Sequence, residues 1–374
     1  MASNVVPTDD TMLEHRFAKL AAAATFVLLV IGGTVNPTGS SLACPEPTLV
    51  CHGQLFPPMV GGVLYEHGHR LAAMTVGLLQ IALTLLLLLR IPRRKLGIEL
   101  LVLELIGVAC LGYVFKTGAI TALPLACAGT YFAVLVIVAL QRGEAGAALG
   151  LLLLDLVIAQ GTLGALTVKF KLPWYVSTAH LLLGMSYFAT LIYTAFRTRP
   201  APSAMELARH DKLRADLGPA RTWIAIACGA VFVQLLLGAL VRHLGAAMVC
   251  LGMPSCTRSG EWWPAAHVQQ LHMIHRGFGV VVAIVTTTAA VKVWRRAKAW
   301  PQLRTLALIA PVLVAGQVTL GIFTVLTMRA VPLAVGHFAG AASLWALWMS
   351  SWLMTGERTV PVEVELPMAK AVGE

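Results

Sequence analysis

The sequence has 374 residues, of which 58% are hydrophobic and only 12% are charged, and its mean hydropathy is +0.79. A soluble domain of this length needs far more charge to cover its surface, so the composition excludes an ordinary soluble enzyme and predicts an all-α polytopic membrane protein. The formal net charge of +11 favours contact with anionic lipid headgroups, and we expect no nucleic acid among the partners.

Apolar runs long enough to cross a bilayer occur ten times along the chain. The first run follows a polar segment that contains Asp9, Asp10 and Glu14 and has no small-residue cleavage site, so we expect neither a cleaved signal nor a transit peptide. The predicted spans are residues 17–36, 63–89, 97–115, 120–140, 146–168, 172–196, 222–241, 268–291, 305–327 and 331–354.

Most of the 28 Lys and Arg residues fall in segments that share one side of the membrane when the spans alternate. The clearest are the 93–95 segment, the 197–221 linker and the KVWRRAK stretch at 292–298. The positive-inside rule makes this side cytoplasmic. We therefore predict a multi-pass protein of the cell (inner) membrane with both termini in the cytoplasm, and we interpret the linker as a solvated connection between two halves.

A sequence repeat defines these halves. The segment FVLLVIGGTVNPTGSSLAC, which ends at Cys44, aligns with FVQLLLGALVRHLGAAMVC, which ends at Cys250, so equivalent residues are 206 positions apart. At the same offset, EHGHR at 66–70 corresponds to HMIHR. His69 is therefore equivalent to His275, and an arginine follows each of them.

A second match aligns AQGTLGALTV with GQVTLGIFTV at an offset of 157 residues, and a histidine follows 20 residues after the glutamine of each segment. The offset differs because the first half contains an extra helical hairpin at about 97–140. We predict two pseudo-symmetric four-helix bundles in the same orientation, with the hairpin inserted into the first. The expected domains are an N-terminal bundle at 1–200, a linker at 201–221 and a C-terminal bundle at 222–374.

Each half contains two intramembrane histidines, His69 with His180 and His275 with His337. In the predicted topology all four lie six to eight residues from the outer ends of their helices, which is roughly 10 Å deep at about 1.5 Å per residue. Two neutral imidazoles on facing helices of an apolar bundle suit a haem, because haem iron takes two axial ligands and the macrocycle fills an apolar slot.

Other readings of these residues exist. A lone intramembrane histidine is more often a structural residue or a proton relay, but four at repeat-equivalent positions favour ligation. A zinc site with two histidines and no inward cysteine is incomplete. Gln160 and Gln317, with their neighbouring glycines, are explained as well by close helix packing as by a site. Arg70 and Arg276 are candidates for contacts with haem propionates.

Four cysteines fall in two predicted outer loops. Cys44 and Cys51 share the first loop, and Cys250 and Cys256 share another. The compartment outside such a membrane permits disulfides, so the short spacing predicts two disulfide bonds. Zinc bound with the help of His52 is the alternative.

The motifs resemble those of the haem A synthases along nearly the whole chain. The resemblance is carried by the ExxHR stretch at 66–70, the outer loop TGSSLACPEPTLVCHGQL, the QGTLGALTV segment with its histidine, and HR and GHFAGA in the second half. Enzymes of that family oxidise the C8 methyl group of haem O to a formyl group by successive hydroxylations. The resemblance therefore implies an oxidoreductase that acts in cytochrome oxidase assembly.

The resemblance also implies a role for each half. His275 and His337 would bind a resident haem b cofactor, and His69 and His180 would face the substrate haem. Glu66 matches the acidic residue that the family needs near its substrate. It lies on the same helical face as His69, where it could accept protons or stabilise positive charge.

The implied partners are haem O and the enzyme that makes it, an electron donor that the sequence does not identify, and the lipid bilayer. The source of the oxygen atom, homo-oligomer formation, and ligation by both substrate-side histidines during turnover stay open. The extra hairpin departs from the usual eight spans of the family, and its Glu99, Glu104 and Lys116 have no assigned counterpart. It could be a lateral gate, a partner surface or a variation without catalytic meaning.

Two functions of other classes also explain the four histidines. A di-haem b-type cytochrome that transfers electrons across the bilayer would usually place its haems at two depths, whereas these histidines share one. A haem carrier or assembly factor without chemistry leaves Glu66 unexplained.

Overall fold

A computed structural model describes residues 9–200 and 203–356. The two chain termini, which we predicted to be cytoplasmic, lie outside these ranges. Ten of the helices in the described part are long and apolar enough to cross a membrane, and each coincides with one predicted span. The helices are α1 (Asp9–Val35), α2 (Gly61–Leu89), α3 (Arg94–Thr117), α4 (Ala122–Gln141), α5 (Ala145–Lys169), α6 (Trp174–Arg197), α7 (Ala204–Leu217), α8 (Ala220–His243), α9 (His267–Arg296), α10 (Pro301–Leu326) and α11 (Val331–Met354).

The helices form two bundles that repeat one packing scheme. In the first, α1 packs on α2, α2 on α5, α5 on α6 and α6 on α1. In the second, α8, α9, α10 and α11 pack in the same cyclic order. Between the bundles, α1 contacts α11, α6 contacts α8, and α6 contacts α11. In the repeat, α1 is equivalent to α8 and α6 is equivalent to α11. The contact of α1 with α11 is therefore equivalent to that of α6 with α8, and the contact of α6 with α11 is equivalent to itself, so the predicted pseudo-symmetric architecture is confirmed.

Aromatic and small side chains hold the bundles together. Trp345 on α11 donates its indole N–H to the backbone oxygen of Met185 on α6 at 3.0 Å, and its ring lies against Phe232 on α8. Trp348, one turn further, is almost fully buried. Because lipid is as apolar as these side chains, such close packing and hydrogen bonding between helices must supply the association energy.

The linker between the bundles contains a structured helix, which corrects the prediction of a merely solvated connection. Helix α7 begins at a capping box in which the Ser203 hydroxyl accepts from the Glu206 N–H while the Glu206 carboxylate accepts from the Ser203 N–H. Leu213 and Leu217 are buried in the core of the C-terminal bundle. The missed signal is an apolar pair four residues apart, which places both leucines on one helical face.

The inserted hairpin, which consists of α3 and α4, packs on the lateral surface of the N-terminal bundle. Helix α3 packs on α2 and helix α4 packs on α5. Gly97 lets α3 approach the backbone oxygen of Leu88 so closely that any side chain at this position would collide with it. The Tyr131 hydroxyl on α4 donates to the backbone oxygen of Leu103 on α3 at 2.6 Å. The hairpin is therefore packed tightly against the bundle.

Two carboxyl groups meet where the hairpin covers α5. Glu104 on α3 is 1% exposed, and its carboxyl group lies within hydrogen-bonding range of Asp155 on α5. Neither oxygen of Glu104, nor Oδ1 of Asp155, has a hydrogen-bond donor as a partner. A carboxyl group buried in an apolar surrounding needs a polar partner, and Asp155 is the polar group that lies beside Glu104. The second half has no hairpin, and its equivalent position is Val312, which is 71% exposed. An acidic residue thus occurs at this position only in the half that contains the hairpin.

We expect Asp155→Leu to weaken packing of the hairpin, because Glu104 then keeps a buried carboxyl group without a partner, at a cost of about 1–3 kcal/mol. Thermal unfolding of the purified protein and protease cleavage near 141–145 measure the effect. The double variant Glu104→Leu and Asp155→Leu should recover most of the loss, and Glu99→Gln, at an exposed position of α3, should have no effect. Equal stability of Asp155→Leu and the unmodified protein would contradict the paired role.

Candidate functional site

Each of the four intramembrane histidines lies against a glycine of a neighbouring helix. A Cβ atom built on the glycine would lie only 2.7–3.2 Å from the Cε1 atom of the imidazole, closer than a side chain can normally approach. The glycines therefore make the space that the rings occupy, which is more specific than general helix packing. The pairs are Gly32 with His69, Gly164 with His180, Gly238 with His275 and Gly321 with His337.

The glutamines at 160 and 317 fix the histidines of α6 and α11 in the same way. Gln160 donates its amide to the backbone oxygen of His180 at 2.9 Å, and Gln317 does so to His337 at 2.7 Å. In return, the ring Nδ1 of each histidine donates to the backbone oxygen of its glutamine, at 3.2 and 3.0 Å. An imidazole with its proton on Nδ1 presents the lone pair of Nε2, which is the form that binds a metal.

In the C-terminal bundle the two histidine rings lie next to each other with nearly perpendicular planes. The ring centres of His275 and His337 lie 6.5 Å apart, and the ring planes are inclined by 83°. Two nitrogen ligands that each lie about 2 Å from one metal place their ring centres about 6 Å apart. The separation of the two ring centres therefore matches that of two ligands of one metal. The side-chain amide nitrogen of Gln234 on α8 donates to the backbone oxygen of His275 at 3.0 Å and lies 3.2 Å from Nδ1 of the same residue, which can only accept from it.

In the N-terminal bundle the histidines are held unequally. His180 has the Gln160 backbone oxygen as a partner for Nδ1, and the Gln160 amide also lies 3.5 Å from its Nε2. His69 is close enough to interact electrostatically with His180, but its buried Nδ1 has no hydrogen-bond partner. The cause is a difference between the repeats, because Leu28 stands where the second half has Gln234. Aligning the repeats could have revealed this glutamine, which the sequence analysis missed.

The arginines that follow His69 and His275 bind the two loops that contain the cysteine pairs. Arg70 donates to the backbone oxygens of Cys44, Glu46, Thr48 and Val50. Arg276 donates to those of Cys250, Gly252, Pro254 and Ser255. The first three acceptors in each loop are repeat equivalents. The propionate contacts predicted for these arginines stay a prediction, and the observed contacts assign both guanidinium groups to the loops.

Both predicted disulfides are present. The bonds join Cys44 to Cys51 and Cys250 to Cys256, and they close the loops that the two arginines hold. The zinc alternative therefore lacks free thiolates, and His52 instead contacts the backbone oxygen of Ala43. Each half thus covers its histidine pair with a loop that is closed by a disulfide and fixed to a helix by an arginine.

Glu66 distinguishes the two halves. Its carboxylate forms a salt bridge with Arg70 and accepts from the Cys44 N–H at 2.9 Å. The equivalent residue is His272, which is also buried. Since Arg276 holds its loop without any carboxylate beside it, the loop contacts do not by themselves require Glu66. An acidic group is therefore a particular feature of the N-terminal site.

The fold and the site define a polytopic α-helical membrane protein with two intramembrane histidine pairs, one in each of two repeated bundles. Residues 117–349 match the family described as cytochrome oxidase assembly protein. This match spans more than half of the chain, and the chain belongs to that family.

Curated relatives named heme A synthase confirm the resemblance that the motifs indicated. The relative from Geobacillus kaustophilus is 25% identical over 325 residues, which cover 86% of this chain and 84% of the relative. The relative from Bacillus pumilus is 23% identical over 324 residues, covering 85% and 88%. A shorter match to the relative from Paracoccus denitrificans is 37% identical over 131 residues, covering 31% and 33%.

Valine in place of Gly321 should displace the His337 ring and lower haem affinity at the C-terminal pair by about tenfold or more, the usual range for lost support of a metal ligand. The haem content and the low-spin absorption spectrum of the purified protein measure the change. Gly316→Val is the matched control on α10, because a Cβ at Gly316 meets no atom within 4 Å. If both variants bind haem equally, the glycine has no such role.

Proposed function

We propose that this protein is a haem A synthase, a membrane oxidoreductase that oxidises the C8 methyl group of haem O to a formyl group. The observation that carries the proposal is the asymmetry between two otherwise equivalent histidine sites: only the N-terminal site has a carboxylate, and only there does one histidine lack a partner for Nδ1. A repeated fold in which only one of two histidine sites has a carboxylate beside it suits an enzyme with one substrate haem and one cofactor haem.

The C-terminal bundle suits the cofactor. His275 and His337 would hold a resident haem b, since a glutamine amide holds the backbone oxygen of each histidine and the ring centres lie 6.5 Å apart. Rigid ligands on both faces favour a permanently bound, low-spin group. When bound, this haem supplies one-electron transfer, and the protein contributes the ligands and the apolar surroundings that tune it.

The N-terminal bundle suits the substrate haem. His180 is held by Gln160, so it would orient the substrate haem, whereas Nδ1 of His69 has no hydrogen-bond partner and its ring is held by packing against Gly32. Two successive hydroxylations convert the methyl group to an alcohol and then to a hydrate, which loses water to give the aldehyde. Each hydroxylation replaces a C–H bond of this carbon by a C–OH bond and removes two electrons from the carbon, which an oxidant supplied from outside the protein must accept.

Glu66 lies one helical turn before His69, on the same face of α2. A carboxylate at this place would accept protons released during the oxidation or stabilise positive charge that develops at the methyl carbon. Its salt bridge with Arg70 fixes its position relative to the histidine. Positioning matters because a catalytic group acts only within hydrogen-bonding reach of its target or through one water.

The proposal includes the surroundings of the enzyme. The basic segments support an orientation in the cell membrane that places the histidine sites towards the outer side. The partners would be the enzyme that produces haem O, which delivers the substrate, and an electron donor. A di-haem electron-transfer cytochrome would need no carboxylate at one of its sites, and a haem carrier would form no haem A.

Removing one ligand of the C-terminal pair should abolish binding of the resident haem. In His275→Ala or His337→Ala, one axial position of the iron has no protein ligand, so we expect most of the haem b to be lost and any residual haem to be high-spin. Absorption spectra and extracted haem content of the purified variants provide the measurement. Low-spin spectra of full intensity in both variants would refute this assignment.

Glu66→Gln should preserve haem b content and reduce the yield of haem A more than tenfold, because positioned acid–base groups contribute about 10² to 10⁴ to a rate. Haem b and haem A are to be measured in the same preparation, from cells that supply haem O. His272→Gln, at the equivalent buried position of the other half, is the matched control for structural damage. Normal haem A production by Glu66→Gln would remove the catalytic role.

A further inference from the structure

Two arginines of the C-terminal bundle meet at the boundary between the bundles, near the outer ends of the helices. Arg242 is the second-to-last residue of α8, and Arg329 lies in the turn between α10 and α11. The two guanidinium groups are close enough to repel each other. Neither forms a salt bridge with a carboxylate among the residues that the structure describes.

The contacts observed for the two arginines use few of their donors. Arg242 donates to the backbone oxygen of Gly33 at 3.3 Å, and Arg329 donates to that of Asn36 at 3.2 Å. Both oxygens belong to the C-terminal end of α1, where a cation is favourable. One arginine would suffice for that purpose. A guanidinium group has five N–H donors, and the buried Nε of Arg242 has no partner.

Arg242 lies between the two histidine sites. Gly33, which it contacts, follows the glycine that makes room for His69. Its guanidinium group also lies 5.7 Å from the ring centre of Phe338, the residue after His337. Arg242 is close enough to His69 to interact with it electrostatically. Arg242 belongs to the C-terminal bundle, but its guanidinium group therefore reaches α1 of the N-terminal bundle, at the boundary between the two sites.

The repeat shows that these cations are not needed for folding of the bundle. The equivalent of Arg242 is Asn36, and the equivalent of Arg329 is Leu172. The turn geometry is common to both halves, because Leu172 and Arg329 have positive φ angles of 64° and 67°. The C-terminal half thus carries two additional positive charges at positions where the same structure forms without them.

We propose that Arg242 and Arg329 form a carboxylate-binding subsite that holds the propionate groups of the haem in the N-terminal bundle. The inference rests on the proposed function, and it adds that the cofactor half supplies the anchor for the substrate of the other half. A guanidinium pair binds carboxylates through charge-assisted, often bidentate hydrogen bonds. Arg70 and Arg276 are engaged by loop carbonyls, which leaves this pair as the better placed cations.

The test compares haem b with its dimethyl ester, which has the same iron and macrocycle but no carboxylates. Each is titrated into protein that retains its resident haem, in nanodiscs of neutral phosphatidylcholine, and binding is followed by the low-spin absorption that His180→Ala removes. The unmodified protein should prefer the free acid by roughly tenfold or more, as expected for charged hydrogen bonds. In the variant Arg242→Asn with Arg329→Leu, the preference should disappear while ester binding is unchanged.

Arg258→Leu, which removes an exposed cation of the outer loop, should keep the preference. Retention of the full preference in the double variant would overturn the proposal. A second outcome would also overturn the proposal. If the unmodified protein binds haem b and its dimethyl ester equally well, but co-purifies with more phosphatidylglycerol than the double variant does, the two arginines bind lipid headgroups instead. The titration involves no turnover, so an inactive protein that still prefers the free acid would count against the enzymatic function and leave the subsite standing.

Discussion

The structure depends on placing imidazole rings between apolar helices. A ring in hydrocarbon needs space within tightly packed side chains and a polar partner for the nitrogen that does not bind a ligand. Four glycines provide the space, and three glutamines stand beside the rings or their backbone oxygens. Because every helix that carries a histidine packs on a helix that carries its glycine, this requirement explains the pairing of α1 with α2, α5 with α6, α8 with α9 and α10 with α11.

Because the bundle is duplicated, equivalent residues of the two halves can be compared directly. The common parts, which include the glycines, the disulfides and the loop-binding arginines, appear twice and maintain the structure of each half. The differences mark specialisation. Glu66 and the unpartnered Nδ1 of His69 belong to one half, whereas Gln234 and the arginine pair at 242 and 329 belong to the other. One scaffold therefore carries two histidine sites with different polar surroundings.

The inserted hairpin obeys the same physical rule as the histidines. Glu104 brings a carboxyl group into an apolar interface, and this position is tolerated because Asp155 faces it. The equivalent of Asp155 in the other half faces lipid as a valine. Hairpin and bundle thus carry complementary polar residues, which means that the hairpin has a fixed position beside the N-terminal site.

The sequence by itself determined the ten spans, the two halves and the four histidines, because bilayer thickness fixes the length of apolar runs and a repeat fixes equivalence. It also indicated both cysteine pairs through their spacing within predicted outer loops. Tertiary structure alone decided which polar groups meet. Sequence spacing cannot report that Arg70 points into a loop, that α7 packs on a bundle, or that Arg242 reaches α1. Those contacts depend on the relative rotation and depth of helices from distant parts of the chain, and packing between helices sets both.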